Sequence, residues 1–102
     1  MRRVVWSDAA RHDYIEIIRY IAEDDPFAAE AVADRVEATA LQLGRSAIGR
    51  RGRIAGTYEK VVTGLPYIIA YAIGPSPAGG EVVTILHVIH GARHWPAGQW
   101  PK

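Results

Sequence analysis

The stretch YIIAYAIGPSPAGGEVVTILHVI, residues 67–89, contains two apolar runs separated by a loop rich in proline and glycine. The runs 67–73 and 81–89 are rich in β-branched and aromatic residues, which favour strands. Both runs are apolar on both sets of alternating positions, which is typical of strands in the interior of a sheet. We therefore predict that these two strands form the centre of a β-sheet covered by helices on at least one face.

Two helices are predicted before these strands. Ser7 is a suitable N-cap, and apolar residues then recur at helical spacing over residues 8–23. Asp25 and Pro26 have the chemistry of a second helix start, and Gly44 follows the last residue of its apolar stripe, where we expect the helix to end. Because the link between the helices is very short, we predict an antiparallel helical hairpin.

Two further runs, 2–6 and 57–62, have strand composition. Between the second helix and the run 57–62 lies GRSAIGRRGRIAG, residues 44–56, a basic and glycine-rich connection without periodicity. No linker divides the chain, so residues 1–102 are predicted to form a single domain. The fold class is α+β, with an N-terminal strand and an antiparallel helical hairpin packed on a small antiparallel β-sheet.

The composition limits the classes of function. The chain has no cysteine, which excludes disulfides and thiolate chemistry. No apolar run approaches the roughly 20 residues that span a bilayer, and the first residues lack the apolar core of a signal peptide. We expect a cytoplasmic protein without a membrane partner.

The net charge of +1 conceals an asymmetry along the chain. Residues 1–43 contain five arginines and nine acidic residues, whereas residues 44–102 contain seven basic residues and two acidic ones. Five of those seven basic residues lie between Arg45 and Lys60. A basic segment of this kind favours an anionic partner, either nucleic acid or an acidic peptide, although a solvated loop can have the same composition.

The segment HVIHGARHWP, residues 87–96, contains three of the four histidines. On a helix their spacing would place all three on one face, but the strand pattern implies a repeat of two residues that separates them. His87 is then expected to share a face with Ile85 and Ile89, and His90 to lie on the opposite face. We therefore predict no metal site and no cofactor.

Other groups with chemical potential are few. His90 and Arg93 are either a functional pair at a strand end or ordinary surface residues. The basic loop GRRGRIAG resembles a phosphate-binding glycine loop but lacks its Lys-Ser/Thr ending and a following helix. Glu59 has the chemistry of a general base, and the alternative is a salt bridge.

Three segments together resemble the RelE/ParE superfamily of toxins from type II toxin–antitoxin systems. They are VVWSDAARHDYIEIIRYIAEDDPFAAEAV from residue 4, GRRGRIAGTYEKVVTGLPYIIAYAI from residue 49, and VVTILHVIHGARHWP from residue 82. The resemblance implies the same fold as the residue pattern, an antiparallel sheet against an N-terminal helical hairpin. It also implies a cognate antitoxin that forms a hetero-oligomer with the toxin. Operator DNA is then reached only indirectly, through the antitoxin.

The resemblance leaves two activities open. RelE-like members cut mRNA on the ribosome, whereas ParE-like members poison DNA gyrase. RelE-like nucleases usually carry an arginine after the first tyrosine of the strand PYIIAYAI and a tyrosine after the last strand; this chain has Ile68 and the segment HGARHWP instead. We favour the ParE-like branch, with a RelE-like mRNA endonuclease or an inactive, antitoxin-bound co-repressor module as alternatives.

Each activity assigns roles to particular residues. On the gyrase hypothesis no residue is firmly catalytic, and the target-binding surface combines the basic loop with the C-terminal segment: Arg50, Arg51, Arg53, His90, Arg93, His94 and Trp95. On the nuclease hypothesis the candidate catalytic residues are Arg53, Glu59, His90 and Arg93. The arginines would then hold the scissile phosphate, and His90 or Glu59 would move protons.

Overall fold

A computed structural model of the chain describes residues 1–47, 49–91 and 100. It contains two helices and five strands within those residues. In chain order these are β1 (Arg3–Trp6), α1 (Asp8–Asp24), α2 (Pro26–Arg45), β2 (Arg50–Arg51), β3 (Tyr58–Val61), β4 (Tyr67–Pro75) and β5 (Glu81–His90).

The strands form one sheet in the order β1-β5-β4-β3-β2, so the two long apolar strands are neighbours in its interior, as predicted. The α+β class and the helical hairpin are confirmed. The sheet differs from the predicted one in two respects. It contains a fifth strand, the short β2, within the stretch that was predicted to be a connection, and β1 runs parallel to β5 while all other pairs are antiparallel. No local turn fixes the direction of β1, since its partner lies at the far end of the chain.

Both helices begin at the predicted residues. The Ser7 hydroxyl accepts a hydrogen bond from Ala10 N–H at 3.0 Å, and the Asp25 carboxylate accepts from the backbone N–H groups of Phe27 and Ala28 at 3.1 Å. These side chains satisfy amides that have no partner within the helix. The end of α2 was predicted wrongly, because the helix continues through Gly44 to Arg45.

The main core lies between the helical hairpin and one face of the sheet. Helix α2 contributes Val36, Ala40 and Leu43, which meet apolar side chains of β4 and β5. The most buried large side chains are Tyr71, Leu43, Ile69, Ile85, Val36, Val62 and Val83. Within the described residues, no helix combines the length and the apolar composition needed to cross a membrane.

A β-bulge interrupts the pairing of β4 with β5. Tyr71 pairs with Ile85, whereas the preceding residue of β4, Ala70, pairs with His87, so that Leu86 is an extra residue. An extra residue inverts the alternation of side chains along a strand. The expectation that His87 shares a face with Ile85 is therefore wrong: Ile85 belongs to the main core, whereas His87 lies opposite Ala70, which packs in a second cluster.

Candidate target-binding site

A buried carboxylate holds the basic loop in place. Glu59 is only 3% exposed and pairs across the sheet with Arg50. Its Oε1 accepts hydrogen bonds from Nε and Nη2 of Arg50 at 3.4 and 3.2 Å, and its Oε2 accepts one from the backbone N–H of Arg53 at 3.0 Å. Both carboxylate oxygens are thus engaged, and they fix residues 50–53, here called the arginine loop.

The arginine loop forms the edge of the sheet. Arg50, Arg51 and Arg53 are all exposed, and among the described residues no further strand lies beyond β2 in the sheet. Three positive charges therefore lie within four residues of one edge. Their spacing suits a surface that contacts phosphates or carboxylates of a larger partner.

A cross-strand row connects this edge to the opposite side of the sheet. Arg50 pairs with Glu59, Glu59 with Ala70, and Ala70 with His87. Residues paired across neighbouring strands have side chains on the same face. Glu59 and His87 therefore lie on one face, separated by the small side chain of Ala70.

His87 is paired with a carboxylate from helix α1. Its Nδ1 lies 2.9 Å from Oδ2 of Asp13, and the two side chains are 25% and 27% exposed. A carboxylate in this position orients the imidazole so that Nδ1 is the ring nitrogen that faces Asp13. The other ring nitrogen is left for a different partner.

The same carboxylate completes the edge of β5. Strand β1 accompanies β5 only as far as the pair Trp6 and Ile85, so the edge beyond that point has no neighbouring strand. There the Ser7 hydroxyl donates to Leu86 O at 3.0 Å, and Oδ2 of Asp13 accepts from Val88 N–H at 3.0 Å. Helix α1 thus supplies the hydrogen bonds that a strand would have made.

Trp100 covers this region from the second face. Its ring centroid lies 4.6 Å from that of His87 at a tilt of 56°, and it packs against the cluster of Ala70 and Ile89. The apolar side chains on the sheet face opposite the helices would otherwise form an exposed apolar patch. The second face is therefore shielded in part by the C-terminal end of the chain.

His90 lies apart from Glu59. It pairs with Tyr67, whose side chain belongs to the main core, and the two rings meet edge to face with centroids 5.5 Å apart. Glu59 instead shares a row with Ala70, three residues further along β4. Strand spacing and rise place the two residues roughly 14 Å apart and on opposite faces. The fold does not bring Glu59 and His90 together.

Three predicted site residues, Arg93, His94 and Trp95, lie outside the described residues. Within the described part of the chain, no group of three or more histidine and acidic side chains is close enough to hold a metal ion. Asp13 and His87 were not among the predicted site residues. Their pairing joins residues 74 positions apart, so no local spacing in the sequence could have predicted it.

The chain resembles two curated proteins over most of its length. It is 38% identical over 96 residues to the Sinorhizobium fredii protein named "Putative toxin Y4kP"; the match covers 93% of this chain and 94% of the relative. It is 33% identical over 94 residues to toxin RelE2 of Caulobacter vibrioides, covering 91% and 99%.

The fold also has a close match among solved structures. A chain of the chromosomal ParDE TA system from P. aeruginosa superimposes with a TM-score of 0.78 at 17% identity, covering 88% of this chain and 96% of that chain. The model of the family described as "ParE toxin of type II toxin-antitoxin system, parDE" matches residues 4–95. Because this match extends from the first strand to beyond the last, the chain belongs to the ParE toxin family of type II toxin–antitoxin systems.

Proposed function

We propose that this toxin inhibits growth by poisoning DNA gyrase and not by cutting RNA. The observation that supports this choice is the state of Glu59. Its side chain is 2% exposed, and both of its oxygens already accept hydrogen bonds from the arginine loop. A general base must reach the proton that it removes, directly or through one water. On our proposal Glu59 instead serves as the counter-ion that shapes a binding surface.

The proposed target-binding surface contains the arginine loop and the C-terminal segment from His90 to Trp95. Arg51 presents an accessible charge there, because it is exposed on the edge strand and forms no ion pair within the described residues. Exposed arginines at a sheet edge can bind acidic or phosphate groups of a large partner without any chemical step. Binding of this kind is what gyrase poisoning requires, because the toxin would then act by binding another enzyme and not by catalysing a reaction.

A RelE-like mRNA endonuclease is the alternative, and one observation favours it. Asp13 orients His87, and His87 lies on the same cross-strand row as Arg50 and Glu59. An imidazole oriented by a carboxylate is the usual form of a general base, and it shares a sheet face with Arg50 at a distance of three strand spacings, roughly 14 Å. On this alternative His87, in place of His90, would be the histidine nearest the arginine loop in the sheet.

We further propose where the cognate antitoxin binds. Strand β1 is the other edge of the sheet, and a groove of about 260 Å³ lies between it and helix α2. Val4, Trp6 and the 59%-exposed Leu41 line this groove. An extended antitoxin segment could add to the edge and bury these side chains, which would satisfy the unpaired strand.

The deciding experiment expresses the chain without an antitoxin in a bacterial host. We expect induction of a DNA-damage reporter, intact mRNA 5′ ends, and, with purified gyrase, accumulation of cleaved DNA. Arg51→Ala should lower toxicity several-fold, whereas the matched control Arg11→Ala, on an exposed face of α1, should not. New cuts inside translated codons without damage signalling would contradict gyrase poisoning.

Glu59→Gln separates the two activities further. The amide keeps an oxygen that can accept from Arg53 N–H but loses the ion pair with Arg50, so the variant removes the proton acceptor while it retains the bond to the backbone of the arginine loop. We expect this variant to remain toxic within a few-fold. Complete loss of toxicity with a native circular dichroism spectrum would favour the nuclease.

A further inference from the structure

A second basic surface lies away from the arginine loop. A cleft of about 520 Å³ opens between the start of β1, the end of α2 and the turn that joins β4 to β5. Its lining includes Arg2, Arg3, Arg45 and a single acidic residue, Glu81. Neither the family assignment nor the proposed target-binding surface gives this cleft a role.

The charges of the cleft do not cancel. Arg2 is neutralised by Glu81, since its Nε lies 2.9 Å from Oε1 of that residue. Arg3 and Arg45 are exposed, and neither forms an ion pair within the described residues. Two guanidinium groups therefore remain available to an anionic partner, and guanidinium groups bind phosphate through two parallel hydrogen bonds.

The walls of the cleft are held by backbone hydrogen bonds. Arg2 N–H donates to Gly44 O at 2.8 Å, which joins the start of β1 to the end of α2. In the β4–β5 turn, Ser76 N–H donates to Gly80 O at 2.9 Å and Gly79 N–H donates to Ser76 O at 3.0 Å. A preformed cleft loses little entropy when a ligand binds.

The position of the cleft suits a long anion. Strands β1 and β2 are the opposite edges of a five-stranded sheet, and Arg3 lies level with Gly74 of β4 whereas Arg50 lies level with Ala70. The cleft and the arginine loop are therefore roughly 23 Å apart, about 19 Å across the strands and about 13 Å along them. The acidic residues Glu23, Asp24 and Asp25 lie at the other end of α2, about 30 Å from Arg45 along the helix. A polyanion can therefore contact both basic surfaces while avoiding the acidic end.

We propose that this cleft binds the phosphodiester backbone of a nucleic acid and acts together with the arginine loop as a second anchoring point. Duplex DNA and single-stranded RNA share this chemistry. The inference extends the proposed function to a direct contact with nucleic acid. It is tested by binding alone, so its failure is distinguishable from a failure of gyrase poisoning.

The test measures binding of the purified full chain to a 20-base-pair DNA duplex and to a single-stranded RNA of equal length, between about 50 and 200 mM salt. The variant is Arg3→Gln with Arg45→Gln. The matched control is Arg11→Gln with Arg19→Gln, which removes the same charge from helix α1. Circular dichroism should show that all variants keep their fold, because these side chains are exposed.

Each lost phosphate contact lowers the slope of log K against log salt by about 0.9 for a duplex and about 0.7 for a single strand. We expect the cleft variant to lose about 1.8 in slope on DNA and roughly tenfold or more in affinity at 0.1 M salt, and the control to keep the original slope. Tighter binding of one nucleic acid identifies the source of the phosphates.

Three results would overturn the proposal. The first is equal slopes for the cleft variant and the unaltered chain. The second is an equal loss in the cleft variant and the helix control, which would reflect net charge alone. The third is tighter binding of polyglutamate than of either nucleic acid, which would assign the cleft to an acidic protein partner.

Discussion

At the scale of single residues, Glu59 has the largest effect on the proposed site. Sequence reasoning left two roles open for it, a general base or a member of a salt bridge. In the structure it bonds Arg50 and the backbone of Arg53 at once. The sequence shows that residue 59 carries a carboxylate. The partners of this carboxylate depend on the short strand β2, which no periodicity in the sequence indicated.

The buried hydroxyl of Tyr71 allows a prediction at the scale of a single residue. It is fully buried, and within the described residues its hydroxyl has no hydrogen-bond partner. Since an unpaired buried hydroxyl costs free energy, we expect Tyr71→Phe to leave the free energy of unfolding at pH 7 unchanged or to raise it by about 1 kcal/mol. Urea denaturation of both proteins measures this, with the exposed Tyr20→Phe as the control. A loss of several kcal/mol would contradict an unpaired hydroxyl.

The same variant carries a pH prediction. Burial, and then Tyr58, raise the pKa of Tyr71 in the folded chain above its usual value near 10, and Arg2 opposes this. The folded state therefore prefers the neutral phenol, so this stability is present below pH 10 and is lost as the pH rises above it. Tyr71→Phe should lose less stability between about pH 9 and 11. Part of the loss should remain, because burial also raises the pKa of Tyr14 and Tyr67.

The hydrogen bonds of Asp13 at the edge of β5 allow a second prediction at the scale of a single residue. Asp13→Ala leaves Val88 N–H and His87 Nδ1 without their acceptor, so we expect a loss of about 1–3 kcal/mol in the free energy of unfolding. Asp13→Asn should lose less, because its side-chain oxygen can still accept from Val88 N–H. Urea denaturation measures both.

Glu30→Ala, which removes an exposed carboxylate from α2, is the control for Asp13. If Asp13→Ala were no more destabilising than this control, the carboxylate would not be stabilising the strand edge.

At the scale of elements, the sequence predicted most helix and strand positions. Cap residues and turn residues act locally, so Ser7, Asp25 and the loop at residues 76–80 define where elements begin and end. Gly44 was misread as a helix end because glycine is common there. The structure shows a different reason for a glycine at this position: the helix passes directly over strand β1.

This close approach makes Gly44→Ala an element-scale prediction. A methyl group at residue 44 would lie 2.7 Å from Arg2 O and 3.0 Å from Cγ2 of Val4. Because the nearest atom is backbone, α2 and β1 must separate, and we expect a loss of about 1–3 kcal/mol in the free energy of unfolding despite alanine's better helix propensity.

Gly74→Ala is the matched control for Gly44→Ala. It lies in β4 with open space around the position and without a left-handed backbone. Alanine should be neutral there or stabilising by roughly 0.5 kcal/mol. Thermal melts of both variants make the comparison. Equal melting temperatures would contradict the close packing of α2 on β1.

At the scale of the whole molecule, part of the charge asymmetry along the chain becomes a separation in space. Glu23, Asp24 and Asp25 surround the turn between α1 and α2, whereas Arg2, Arg3 and Arg45 meet at the far end of α2. A polarised molecule is oriented by its field as it approaches an anionic partner. The sequence predicted the basic segment that begins at Arg45, but not that Arg2 and Arg3 would lie beside Arg45 in the fold.

The sequence by itself determined most of the elements, the fold class and the family. These follow from apolar periodicity, capping and turn chemistry, which act over a few residues, and from motifs that extend along most of the chain. Only the tertiary structure decided the parallel pairing of β1, the bulge at Leu86 and the pairing of Asp13 with His87. Each depends on backbone groups and side chains far apart in the chain, whose hydrogen bonds are satisfied only once the sheet and helices pack together.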